Sequence, residues 1–144
     1  MTKEEKELLL KDLCARLPYG VKCIVTKSRT EEGQKEDMGK ITYICLEGVE
    51  CIGNEPFFSE FGNFKPYLFP LSSMTDKELI EFFQIRGMNL NTYELRTFRR
   101  RDIAIASTLS SYSRHIDWLN KKHFDYRGLI EKGLAIDASG LNIY

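Results

Sequence analysis

Apolar residues recur at helical spacing from the start of the chain. Leu10, Leu13, Cys14 and Leu17 share one face, so the spacing predicts a helix over residues 3–17. Thr2 and Glu5 form a T-x-x-E capping box at its start, in which hydroxyl and carboxylate each accept a bond from an otherwise unpaired amide. Pro18-Tyr19-Gly20 ends it. The period then changes: Val21, Cys23 and Val25 alternate with Lys22, Ile24 and Thr26, as in a strand with one buried face. Residues 29–39 are polar and charged and hold two glycines, which predicts a loop. A second strand follows over residues 41–47, turning at Gly48 to pair with Val49–Ile52 as a hairpin.

Residues 54–73 break both periods. Pro56, Pro66 and Pro70 argue against a central strand or a helix. Six aromatics (Phe57, Phe58, Phe61, Phe64, Tyr67 and Phe69) nevertheless crowd thirteen positions, so the segment must lie against something. It is expected to run extended over the core, its aromatics mostly buried. Thr75 and Glu78 then repeat the capping box, and Met74 with Leu79 completes a hydrophobic staple. Leu79, Ile80, Phe82 and Phe83 bury, and Gly87 terminates this second helix. Residues 102–109 suit strand or helix, with strand preferred. From Ser110 or Ser111 a third helix places Tyr112, Ile116, Leu119 and His123 on one face, with Asp117 and Lys121 paired outward.

The segment IDWLNKKHFDYRGLIEKGLAID, residues 116–137, gathers polar groups in an apolar setting. Asp125 is placed to cap a short final helix at Tyr126. Gly133 would end that helix, Leu134 would touch Leu129, and Gly128 would allow a close backbone approach. Trp118, His123 and Tyr126 then serve as anchors whose polar tips each need one bond. The competing reading makes His123 a general base oriented by Asp125 or Asp117, but no nucleophile or metal partner is legible. The structural role is the one expected, and no catalytic residue is assigned.

Composition narrows the class. With 42% hydrophobic and 29% charged residues in 144, the chain is an ordinary globule of one domain, 1–144, and disorder or a coiled coil is excluded. No stretch approaches the ~20 apolar residues of a membrane span, and the N-terminus lacks the apolar core of a secretory signal. A cytoplasmic location follows. Cys14, Cys23, Cys45 and Cys51 sit in apolar patterns and are expected as buried free thiols. Their spacing fits no common zinc knuckle; a dispersed site of Cys23, Cys45, Cys51 and one His is the alternative to having no metal. No phosphate-cradle, dinucleotide or hydrolase motif occurs, and no cofactor is expected.

Net charge is zero, but its distribution is uneven: residues 1–90 carry 12 Lys/Arg against 15 Asp/Glu, and residues 91–132 carry 9 against 5. The basic excess centres on RTFRRRD, where Arg96, Arg99, Arg100 and Arg101 surround Phe98. Guanidinium groups bind phosphates bidentately and an aromatic stacks on bases, so this cluster, extended by Lys121 and Lys122 and also by Lys65 and Tyr67, is a candidate nucleic-acid contact. A solvated charged turn, or a contact with an acidic protein, would use the same residues.

The blocks KPYLFPLSSMT and IDWLNKKHFDYRGLIEKGLAID resemble a family of small uncharacterised proteins encoded in bacteriophages, prophages and mobile elements of gut anaerobic bacteria. The family pattern carries a basic residue where Phe69 stands here, so no polar role transfers to that position. The resemblance implies an accessory role and brings no activity or cofactor with it. The sequence therefore predicts an α+β fold: a small antiparallel sheet packed with the N-terminal helix and closed by C-terminal helices. Its expected function is that of a non-enzymatic protein-interaction module with an unidentified protein partner, and residues 57–69 and the C-terminal block are the candidate surfaces. Nucleic-acid binding through residues 96–101 is the alternative.

Overall fold

A computed structural model describes residues 1–26, 36–53, 56–85 and 113–144. Helix α1 (Lys3–Arg16) begins at the predicted capping box, with the Glu5 amide 3.1 Å from the Thr2 hydroxyl and the Thr2 amide 2.7 Å from the Glu5 carboxylate. A short 3-10 turn, Leu17–Tyr19, leads through left-handed Gly20 into β1 (Lys22–Thr26). Strands β2 (Glu36–Ile44), β3 (Gly48–Ile52), β4 (Pro56–Glu60) and β5 (Phe64–Pro70) follow, then a 3-10 turn and helix α2 (Asp76–Gln84). Helix α3 (Ser113–Lys121) and two-residue strands β6 (Phe124–Asp125) and β7 (Ile136–Asp137) complete the described elements. The α+β class predicted from the pattern is what the chain adopts. Among the described residues no helix is long and apolar enough to cross a membrane.

The strand order is β4-β3-β2-β1-β5-β6, antiparallel except that β6 and β7 each add two parallel rungs to β5. The predicted hairpin of β2 and β3 is present, though β2 starts at Glu36, inside the expected loop, and a register shift between Ile41 and Tyr43 bends it. The larger correction concerns residues 56–70. They form two strands joined by a tight turn, not a stretch laid over the core: β4 pairs with β3 at one end of the strand order, and β5 lies between β1 and β6. The three prolines survive there because each occupies a terminal rung: Pro56 opposite Ile52, Pro66 opposite Cys23, and Pro70 opposite Asp125. A missing N–H costs least where a ladder stops. Alternation strengthens the case at Pro66. Ile41 N–H bonds Val21 O, so Lys22 and Ile24 present their backbone groups to β5 and Cys23 does not.

One face of the sheet carries the core: Val21, Cys23, Val25, Ile41, Val49, Cys51, Phe64 and Leu68. Leu9 and Leu13 of α1 cover it, together with Leu129, Leu134 and Ala135. The buried face of α1 is thus Leu9, Asp12, Leu13 and Arg16, not the predicted stripe through Leu10 and Cys14; Cys14 is exposed and Cys45 half-buried, so only Cys23 and Cys51 are buried thiols. Their sulfurs lie 3.4 Å apart in a hydrogen bond that pulls Cys51 down and pushes Cys23 up from the ordinary thiol range. A second cluster joins Phe82 of α2 to Leu119 and Phe124, and Met74 and Leu79 meet as the staple predicted.

In α3 the buried positions are His115, Leu119 and Asn120, while Ile116 is half-buried and His123 lies beyond the helix end, correcting the predicted face. Asp117 accepts a 2.9 Å bond from the Tyr19 hydroxyl. No final helix forms among residues 126–133, which are turns. Gly87, residues 102–109, Ser110, Ser111 and Tyr112 lie outside the described residues, as does most of the predicted 29–39 loop.

Gly48 is required by close packing. A Cβ there would sit 2.1 Å from Ser59 O and 2.9 Å from Glu60 Cα, both backbone atoms of β4. Gly48→Ala is therefore expected to destabilise the fold by about 1–3 kcal/mol, the usual range for overpacking, measured by denaturant unfolding. An unchanged midpoint would refute this account of the β3–β4 contact.

Candidate functional site

Two features could carry function: the polar C-terminal block and the open face of the sheet. The block is built around Asp12, which has no solvent exposure and yet sits on a helix. Its Oδ2 accepts from Arg16 Nε at 2.6 Å, and its Oδ1 accepts from Arg16 Nη2 and Arg127 Nε, both at 3.1 Å. The i, i+4 spacing within α1 aligns Asp12 with Arg16, and Arg16, equally unexposed, turns its remaining donors to carbonyls. Nη2 reaches Phe124 O at 2.7 Å and Nη1 approaches Leu119 O at 3.5 Å, near the end of α3 where carbonyls lack helical partners. Arg127 Nη2 donates to the Tyr126 hydroxyl at 2.9 Å, and that hydroxyl donates to Asn120 Oδ1 at 3.1 Å.

Asp125 does cap, but in a different way from the prediction. Its carboxylate accepts from the amides of Arg127 (3.3 Å), Leu129 (3.0 Å) and Ile130 (2.8 Å), pinning a turn instead of starting a helix. Gly133 takes the left-handed conformation expected of it (φ 68°), and the Leu134 amide bonds Leu129 O at 2.8 Å. Gly128 is also left-handed, but its nearest atom to a Cβ would be a flexible carboxylate 3.9 Å away, so it serves backbone conformation and not close approach.

His123 has a positive φ of 59°, is buried, and stacks on Tyr144 with ring centres 3.9 Å apart. The bond predicted for its polar tip is missing at Nδ1, which has no partner among the described residues. Burial first, then the nearby Arg16 and Lys22 cations, hold its pKa down to about 4. Tyr144 in turn bridges the sheet. The register that pairs Ile24 with Lys65 and Cys23 with Pro66 next brings Lys22 opposite Tyr67. There the Tyr144 hydroxyl accepts from Lys22 N–H (3.1 Å) and donates to Tyr67 O (2.8 Å), replacing the direct rung. Although the ring edge stays partly exposed, desolvation of the hydroxyl between the strands pushes the phenol up to about 12.

Trp118 stacks on Phe124 at 5.8 Å, so it is the packing anchor expected. Lys121 is exposed, whereas Lys122 pairs with Glu81 at 3.3 Å. Arg96, Phe98, Arg99, Arg100 and Arg101 lie outside the described residues. Among the described residues, no group of three or more His, Cys, Asp or Glu is arranged to hold a metal ion. The carboxylates of Asp12 and Asp125 are committed to donors of the chain itself. The arrangement therefore ties α1 to the chain's C-terminal quarter, and the sequence reading missed its first half. A trace was visible: Asp12 and Arg16 fall on the helical face of Leu9 and Leu13, where charges are unusual.

The open sheet face differs in kind. Met38 (50% exposed), Tyr43 (54%), Ile52 (53%) and Phe58 (51%) stand on β2, β3 and β4, on the side away from the core. A cleft of about 360 Å³ opens among Thr42, Glu50, Ile52, Pro56 and Phe58. The aromatic segment thus divides: Phe64 and Tyr67 are buried, Phe57, Phe61 and Phe69 half-buried, and Phe58 exposed. The signal for this face was apolar residues on both parities of one strand, as in Val49, Cys51 and Ile52.

No protein-family model matches the chain, and no curated protein or solved structure is significantly similar to it. Two outcomes test the site. Asp12→Ala strands the fully buried Arg16, so it should cost about 3–5 kcal/mol of unfolding free energy, whereas a loss under about 1 kcal/mol would refute the lock. His123 gives a pH signature. Because its folded pKa lies near 4 and an unfolded histidine titrates near ~6.5, the unfolded chain gains the proton first as pH falls. Stability should drop by roughly 3 kcal/mol between about pH 6.5 and 4 and be unaffected by this group above that window. The difference between wild type and His123→Asn, whose side chain tolerates positive φ, isolates the effect; parallel pH profiles would contradict it.

Proposed function

We propose that this chain is a small accessory protein of phage or mobile-element type that acts in the cytoplasm as a non-enzymatic protein-interaction module. Its contact surface is the open face of β2, β3 and β4. The supporting observation is that four large apolar side chains are at least half exposed on one side of one sheet, next to a cleft, while the core face is filled. Apolar groups gathered on a rigid sheet lose unfavourable contact with water when a second surface covers them, and ordering them costs little because the strands already fix their positions. The C-terminal block supports the same reading indirectly, since Asp12, Arg16, Asp125, Tyr126 and Arg127 spend their polar groups on each other, on Asn120 and on backbone.

A photo-crosslinking amino acid at Phe58 should yield a protein adduct in cells that express the chain naturally. The same probe at exposed Lys11 on α1 should not. Equal yields from the two positions, or none from Phe58, would overturn the assignment of this face.

A further inference from the structure

The open face is acidic where its aromatic groups are exposed, and that combination decides what kind of partner fits. On β4 the alternate residues Pro56, Phe58 and Glu60 point outward, and β3 sets Ile52, Glu50 and Gly48 opposite them. Gly48 has no side chain, so the Phe58 ring leans across it: the ring Cζ lies 2.9 Å from where a Gly48 Cβ would sit. Glu50 is beside the ring as the direct partner of Phe58, and Glu60 is beside it as the partner of Gly48. Diagonal neighbours of this kind are ~7–8 Å apart, close enough for the carboxylates of Glu50 and Glu60 to flank one group. On the other side of Glu50 stands Tyr43, its partner on β2, which is also more than half exposed.

Neither carboxylate is neutralised. Among the described residues, Glu50 and Glu60 make no ion pair. Lys40 shares the rung of Ile52, but its chain is laid along Gly20, with Cε 2.8 Å from where a Cβ there would be. Lys6 stands 5.2 Å over the ring of Phe61, the residue that follows Glu60. Glu47, at the same end of the β3–β4 ladder, adds a third exposed carboxylate. A phosphate backbone would be repelled here, and a purely apolar partner would strip two charges of water without supplying a counter-ion. A cation carried on an apolar stem meets both needs. Arginine suits the place better than lysine: its planar guanidinium stacks on an aromatic ring and still offers edge donors to two carboxylates, whereas an ammonium is a compact, strongly hydrated point charge. Its methylenes would follow the cleft walls of Ile52 and Pro56.

From this arrangement we infer that the occupant of the open face is an arginine-bearing segment of a partner protein, its guanidinium stacked on Phe58 between Glu50 and Glu60. The inference rests on the interaction-surface reading above and names the chemistry of the partner.

N-acetyl-arginine amide, titrated into isotope-labelled protein, tests the site directly by nuclear magnetic resonance. It should shift the backbone amide signals of Gly48, Glu50, Phe58 and Glu60 saturably, with a dissociation constant in the millimolar range that suits a single side chain. The neutral isostere N-acetyl-citrulline amide should leave those signals in place, and the lysine analogue should bind about threefold more weakly or worse. Glu50→Gln/Glu60→Gln should lose the arginine response, and Lys40→Gln should retain it. These substitutions change exposed side chains, and thermal melts check that each variant folds. Equal shifts from the arginine and citrulline analogues, or none from either, would sink the inference. In cells, the adduct formed through Phe58 should map to an arginine-containing segment of the partner and fall more than about fivefold in the Gln double variant. An adduct of unchanged yield excludes the arginine and leaves the interaction surface standing; no adduct at Phe58 removes both.

Discussion

A carboxylate removed completely from water keeps its charge only where donors surround it, because the desolvation of an unpaired ion costs several kcal/mol. Asp12 meets that condition with two guanidiniums, and meeting it dictates much of the architecture. Arg16 comes from its own helix, but Arg127 is 115 residues away, and Arg16 itself must reach Phe124 O, 108 residues on. In the folded chain the seat of the N-terminal helix and the placement of the C-terminal quarter therefore depend on each other. Nonpolar packing of Leu9 and Leu13 supplies attraction without direction, and the ion cluster supplies the direction.

The same logic extends along the closing segment. Asp125 holds three backbone amides, so the turn over residues 126–133 is tied to β6, and Leu129 and Leu134 are delivered to the core from that turn. Tyr144 then occupies the gap where β1 and β5 part, its hydroxyl serving as acceptor for one strand and donor for the other. These side chains are engaged with the chain's own backbone. Among the described residues, exposed apolar and charged side chains lie side by side on the outer sheet face.

Local rules carried some elements from sequence to structure intact. Both capping boxes, at Thr2 and Thr75, appear as read, because a cap needs only residues three apart. The alternation of β1, the hairpin of β2 and β3, and the staple of Met74 with Leu79 are also short-range patterns. So is the left-handed turn at Gly133. The α+β class followed from these pieces alone.

Register and distant pairing were beyond such rules. Three prolines read as barriers to a central strand, yet each falls on a last rung, a property of how β4 and β5 meet their neighbours and not of the segment itself. The face of α1 was misplaced because a buried Asp–Arg pair looks like solvent-facing charge until its third partner is known. Asp125 was rightly seen as a cap, although the turn it holds was read as a helix. Likewise, the individual residues Met38, Ile52, Phe58, Lys40, Lys65, Glu50 and Glu60 are unremarkable along the chain. Only the pairing of strands from separate segments brings them onto the outer side of one sheet. Sequence by itself determined the elements, because their caps and periods are set by near neighbours; the tertiary structure alone decided the lock and the exposed face, because both are made of groups that meet only after the sheet has assembled.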